Sequence, residues 1–193
     1  MALLIGQSIN GQDVEQMTIS WSPKQFASMC DDLAWAESGH SCPGLPSFTS
    51  RINAKDGGID AEWSVEISGN DSAIPTPIMG PGWNVTQYKK RNILAQDRQK
   101  IMSTLKTSLK NAVQEVVKIN KKCPDHYTLF VNVDLLHNDK RALKSTILKD
   151  SPNPNLHIEI NGAGELKTFL NNQPHLRAAY FIPLSFKTWQ TAD

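Results

Sequence analysis

Residues 56–67 read DGGIDAEWSVEI, and from Ile59 onward the stretch alternates without a break. Ile59, Ala61, Trp63, Val65 and Ile67 are apolar, and Asp60, Glu62, Ser64 and Glu66 between them are polar. Successive side chains of a strand point to opposite faces, so the pattern predicts a strand buried on one side with Asp60 and Glu62 sharing the other. The glycines ahead of it mark a turn, in which Asp56 serves the local backbone. Residues 68–82, SGNDSAIPTPIMGPG, form a Pro- and Gly-rich loop or hairpin tip. It returns the chain to WNVTQYKKR, residues 83–91, a second strand with Trp83, Val85, Gln87 and Lys89 on one face. That face begins apolar and ends polar. If the two strands are neighbours, Asp60, Gln87 and Lys89 come together at one end and make a place for a cation.

Outward from this pair the chain alternates helices and strands. Ser22 as N-cap and Pro23 in the first turn open a helix that runs to about Ser38, burying Phe26, Met29, Cys30, Leu33, Trp35 and Ala36. A long helix is predicted from about Ala95 to Asn120, with Ile101, Leu105, Leu109, Ala112, Val113 and Val116 as its apolar stripe and basic residues outside. Residues 127–135, YTLFVNVDL, read as a central buried strand. Helices at 139–149 and 164–170, a strand at 156–160 and a helical turn at 175–180 complete the order, which indicates an α/β layer fold with a mixed sheet. The five tryptophans, Trp21, Trp35, Trp63, Trp83 and Trp189, read as core or interface.

The length of 193 residues suits one well-buried domain, with its core at about 20–185. No apolar run approaches the roughly 18 residues of a membrane span, and the start lacks the pattern of a secretory signal, so a cytoplasmic protein with no membrane partner is expected. Cys30, Cys42 and Cys123 are too few and too scattered for a disulfide framework and read as reduced thiols. His40 and Cys42 have irregular spacing to the other cysteines for zinc. The net charge of +1 conceals an asymmetry: residues 1–86 carry 3 basic and 10 acidic groups, residues 87–149 carry 14 and 5, and residues 150–193 carry 3 and 4. A basic middle favours a polyanionic partner such as nucleic acid.

The Gly57-Gly58-Ile59-Asp60 turn, the strand ending Gln87-Tyr88-Lys89, and the basic helix and apolar strand after it resemble the PD-(D/E)XK nuclease superfamily, in particular its Mrr-type branch with a GxD turn and a QxK strand. The resemblance spans roughly residues 20 to 135. It implies a restriction-endonuclease-like three-layer fold and a metal-dependent endonuclease that cuts double-stranded DNA with little sequence specificity. Residue by residue, it makes Asp60 the shared metal ligand, Gln87 the second ligand through its amide oxygen, Tyr88 a ligand through its backbone carbonyl, and Lys89 the catalytic lysine. Mg²⁺, with Mn²⁺ as substitute, suits such oxygen donors. Glutamine stands where the wider superfamily has an acid, and supplies no charge. An additional acid is sought among Asp32, Glu37 and Glu62, with Asp31 behind them, and Lys90 and Arg91 are candidate DNA contacts. The resemblance extends to nuclease domains at the N-terminus of prokaryotic antiphage defence proteins, STAND NTPases or CBASS effectors, which implies a longer protein that oligomerises through regions outside this chain. The alternative is a catalytically silent nuclease fold that binds DNA or a protein.

Overall fold

The computed structural model describes residues 8–38, 47–48, 59–65, 78, 80–93, 97–149 and 151–181. Ser22 and Gln25 begin the helix predicted near Pro23: the Gln25 N–H donates to Ser22 Oγ at 3.2 Å and the Ser22 N–H to Gln25 Oε1 at 2.8 Å. These two bonds form a capping box on α2, Pro23–Ser38. Phe26, Met29, Cys30, Leu33 and Ala34 are its buried residues, whereas Trp35 is 46% exposed. The expectation of a buried Trp35 fails on helical geometry, because residue i+2 sits about 200° around the helix and so opposite Leu33. An earlier helix that the sequence reading did not foresee, α1, Gly11–Ile19, has its own box between Asn10 and Asp13.

The strands are β1, Ser47–Phe48; β2, Ala61–Val65; β3, Gly82–Lys89; β4, His126–Val131; and β5, His157–Asn161. They form one mixed sheet in the order β1-β2-β3-β4-β5. β1, β2 and β3 are antiparallel neighbours, with Glu62 opposite Val85 and Trp63 opposite Asn84. β4 lies parallel to β3, with Gln87 level with Leu129, and β5 parallel to β4. Parallel neighbours need crossovers, and two right-handed crossovers that step in the same direction lie on the same face of the sheet. The helices α3, Arg98–Leu109, α4, Ala112–Asn120, and α5, His137–Lys149, accordingly pack together over that face. On the other face lie α1, α2, α6, Ala163–Asn172, and α7, Pro174–Phe181. The α/β class and the mixed sheet agree with the sequence pattern.

The single long helix expected over 95–120 is two. Asn111 takes a left-handed conformation, φ 63°, between α3 and α4, a geometry that asparagine tolerates better than most side chains. The strand expected to reach residue 135 ends its ladder at Val131. Beyond it, the Arg91 N–H donates to Asn132 Oδ1 at 2.7 Å, and Asn132 Nδ2 donates to the Arg91 carbonyl at 3.1 Å and to Thr18 Oγ1 at 3.1 Å. The buried asparagine thus extends the β3/β4 pairing by a side chain and ties it to α1.

Candidate active site

Alternation is broken where the candidate site begins. Ala61, Trp63 and Val65 pack toward α2, but Ile59 packs toward α3–α5. The Asp60 N–H donates to the Thr86 carbonyl at 2.9 Å, although Thr86 is also the register partner of Ala61. Two residues addressing one is the irregularity of a β-bulge, which bends a strand and re-aims a side chain. Here it carries the Asp60 carboxylate along β3, where Asp60 Oδ2 accepts the Tyr88 N–H at 2.6 Å. A strand residue presents its N–H and C=O to the same side, so the Tyr88 carbonyl also faces the Asp60 side.

Gln87 is 3% exposed, and its Oε1 accepts the Tyr127 hydroxyl at 2.6 Å. Burial, with the Asp60 charge as the second cause, raises the Tyr127 pKa and keeps that phenol protonated. Tyr127 therefore acts as a fixed donor that orients the Gln87 amide. Lys89, half-buried at the end of β3, is two residues beyond Gln87 on the same face. Asp60, Gln87, Tyr88 and Lys89 are thus gathered at the C-terminal end of β3.

Two of the acids sought in the sequence reading are held by partners of their own. The Asp32 carboxylate accepts the Tyr180 hydroxyl. Glu62 Oε2 accepts Trp83 Nε1 at 3.0 Å, which holds it four residues, about 13 Å, up the strand from Gln87. The side chain of Glu37 lies outside the described residues. Asp31 instead stands near Asp60: burial, then the charges of Asp60 and Asp32, push its carboxyl up from 3.8 to about 6, against the lowering effect of the neighbouring Tyr88 hydroxyl. Asp31 Oδ1 and the Tyr88 hydroxyl are adjacent and buried, yet neither completes a hydrogen bond of normal geometry, and Thr86 Oγ1 nearby in the strand is also without a partner. Burial raises the Tyr88 and Cys30 pKa values as well, and the acidic neighbours add to both shifts.

Lys90 and Arg91 are turned inward. Lys90 Nζ donates to the Ile19 carbonyl at the end of α1 at 3.3 Å, and Arg91 Nη2 donates to Ser108 Oγ at 2.8 Å. Burial lowers the pKa of both. Asp56, Gly57, Gly58, His40, Cys42 and Trp189 fall outside the described residues. Cys30 and Cys123 pack on opposite faces of the sheet, so they do not share a metal.

Sequence reasoning passed over Tyr127 and ranked Asp31 last. Each left a signal: a phenol inside an apolar strand must find a hydrogen-bond partner, and Asp31 is one turn from buried Ala34. Among the described residues no group of three His, Cys, Asp or Glu side chains is placed to hold a metal. Asp60, Asp31, the Gln87 amide and the Tyr88 carbonyl are nevertheless all hard oxygen donors, and an unpartnered buried carboxylate oxygen beside a second carboxylate is a setting that a divalent cation would relieve. No helix among the described residues is long and apolar enough to cross a membrane. Comparison with known protein families, curated proteins and solved structures finds no match to this chain.

Proposed function

We propose that this chain is a metal-dependent endonuclease of restriction-endonuclease-like fold that hydrolyses double-stranded DNA with little sequence specificity, as an effector domain in prokaryotic antiphage defence. The reading is supported above all by the seating of the Asp60 carboxylate on the backbone of the strand that carries Gln87 and Lys89. In this reading Asp60, the Gln87 amide oxygen and the Tyr88 carbonyl would hold Mg²⁺, and Asp31 would add the acid from α2. When bound, the metal would supply a water of lowered pKa and offset charge on the phosphate. Lys89 places its ammonium against the charge that develops on the phosphoryl oxygens as the water oxygen bonds to phosphorus and the ester oxygen departs with a proton. Tyr127 positions Gln87, and Asn132 positions the backbone just after Lys89. The weak specificity follows from the lack of a helix-turn-helix or zinc-finger pattern in the sequence.

A second reading, a silent nuclease fold that binds DNA or a protein, draws on one observation: Gln87 Oε1 is already held by Tyr127, and glutamine adds no charge for a cation. Cleavage separates the two. Supercoiled plasmid, linear duplex, single-stranded DNA and RNA are incubated with the chain, at several protein concentrations and also fused to a dimeric or tetrameric coiled coil, in Mg²⁺, Mn²⁺ or EDTA. The expected outcome is metal-dependent cutting of duplex DNA that slows at least about a hundred-fold in Lys89→Ala. Absence of cutting even in the fused oligomers, or cutting indifferent to Lys89→Ala, sinks the nuclease reading.

A further inference from the structure

Four lysines meet where the helices of one face end. A groove of about 340 Å³ between α3 and α5 is lined by Lys106, Lys110, Lys149 and Ser145 among others. A second groove of about 410 Å³ adjoins it through the shared Lys149 and adds Lys118 and Gln114 from α4. Among the described residues no carboxylate lines either groove. The contrast along α5 is informative: Lys140 and Lys144 pair with Glu165 and Glu159, whereas Lys106, Lys110, Lys118 and Lys149, all exposed, make no ion pair among the described residues. Four ammonium groups with no ion pair among the described residues, gathered in one place, repel one another, an arrangement that an anion relieves.

Position separates this surface from the Asp60 site. Lys89 closes β3 at its C-terminal end, and α3 runs back along the sheet, so Lys106 and Lys110 lie toward the far end of a helix about 18 Å long, beside the last residue of α5. The ligand's chemistry follows from the lining. Lysine is a point charge that suits phosphate oxygens in any orientation. Two grooves joined by one lysine suit a ligand with several phosphates rather than one. Lys106 and Lys110 are one helical turn apart, about 6 Å of rise, and each nucleic-acid strand offers a phosphate about every 3.4 Å of axis. No aromatic side chain among the described residues lines the grooves, so these residues offer bases nothing to stack on. We propose that the Lys106–Lys110–Lys118–Lys149 surface binds the phosphate backbone of double-stranded nucleic acid, independently of base sequence and of any chemistry at Asp60.

The test measures binding of a short labelled duplex by fluorescence anisotropy in EDTA, which removes metal-dependent cleavage, across a salt series. Wild type, Lys106→Gln/Lys149→Gln and the charge-matched control Lys24→Gln/Lys167→Gln are compared, with circular dichroism confirming that each is folded. The groove pair is expected to weaken binding about ten-fold at the lowest salt and to shrink the slope of log affinity against log salt by about 1.8, with the control close to wild type. Equal losses in both pairs, no loss in the groove pair, or no duplex binding by wild type overturns the proposal. So does displacement of the duplex by inorganic phosphate at fixed ionic strength, which marks a small-anion site. A chain that binds duplex through these lysines yet never cleaves would sink the nuclease reading alone, and one that cleaves without needing them for binding would sink this one alone.

Discussion

The two ends of β3 handle buried polarity in opposite ways. At its N-terminal end the described polar side chains of β3 itself have partners, although Trp63 Nε1, on the residue opposite Asn84, is buried without one. Asn84 is 1% exposed; its Oδ1 accepts the Gly80 N–H at 2.9 Å, and its Nδ2 donates to the carbonyls of Gly80 at 2.8 Å and Gly82 at 2.9 Å. Asp125 Oδ2 accepts the Trp83 N–H at 2.8 Å, close beside Gly82, whose φ of 94° and lack of a side chain leave the carboxylate room. At the C-terminal end, Thr86 Oγ1, the Tyr88 hydroxyl and Asp31 Oδ1 are buried and unpaired, and Asp31 and Asp60 repel each other. Buried polar groups are almost always satisfied in folded proteins, so the first end reads as architecture and the second as a site held at a cost to stability.

That contrast breaks most easily at Asn84. Replacing it with alanine removes three hydrogen bonds and strands the buried Gly80 N–H and C=O. A loss of about 3 kcal/mol in unfolding free energy is expected by denaturant titration. A change below about 1 kcal/mol would mean that the amide is not the anchor of the turn.

The other end is expected to respond in the reverse direction. With its pKa raised from 3.8 to about 6, the Asp31 carboxyl is neutral in both the folded and unfolded chain below pH 3.8 and costs nothing there. As pH rises through this window the unfolded chain ionises first, stability falls, and above about pH 6 the full penalty applies. Asp31→Asn has no proton to lose. It is expected to match wild type in acid and to exceed it at neutral pH, by about 1 kcal/mol once solvent screening is allowed for. Denaturant midpoints at both pH values in EDTA check this, and a variant less stable than wild type at neutral pH would show that Asp31 is a structural acid.

The same contrast explains what the sequence could reveal. The Ser22/Gln25 cap, the alternation of 61–65 and the order of strands and helices are local patterns, readable because the residues that cause them are neighbours in the chain. The capping box at Asn10 and Asp13 was equally local and went unread because the segment is weakly apolar. The turn at Asn111 was hidden by a stripe that runs almost in phase through both helices. Asp60, Gln87 and Lys89 could be placed together because one antiparallel pairing suffices to do so. The partnership of Tyr127 with Gln87, the approach of Asp31 to Asp60 and the inward turn of Lys90 and Arg91 depend on how α1, α2 and β4 dock, which no short stretch encodes. The bulge at Asp60 is the sharpest case: strict alternation put Asp60 and Glu62 together, and a slip of one residue sends one to Tyr88 and the other to Trp83.

Tyr88 offers the smallest and most selective probe. A satisfied buried tyrosine hydroxyl contributes about 1 kcal/mol through its hydrogen bond, and removing it also abandons the partner. The Tyr88 hydroxyl completes no bond of normal geometry, so Tyr88→Phe deletes a desolvated polar group whose only return is a weak pull on the Asp31 carboxylate, while leaving the ring against Phe130. Unfolding free energy at neutral pH is then expected to stay within about 0.5 kcal/mol of wild type. The loss is not zero in principle, because the hydroxyl lowers the Asp31 pKa and its removal leaves that carboxylate harder to ionise. This small term opposes the gain from removing the orphaned oxygen. A drop beyond about 1.5 kcal/mol would mean that the hydroxyl and Asp31 do share a strong hydrogen bond, and the two ends of β3 would then be equally satisfied.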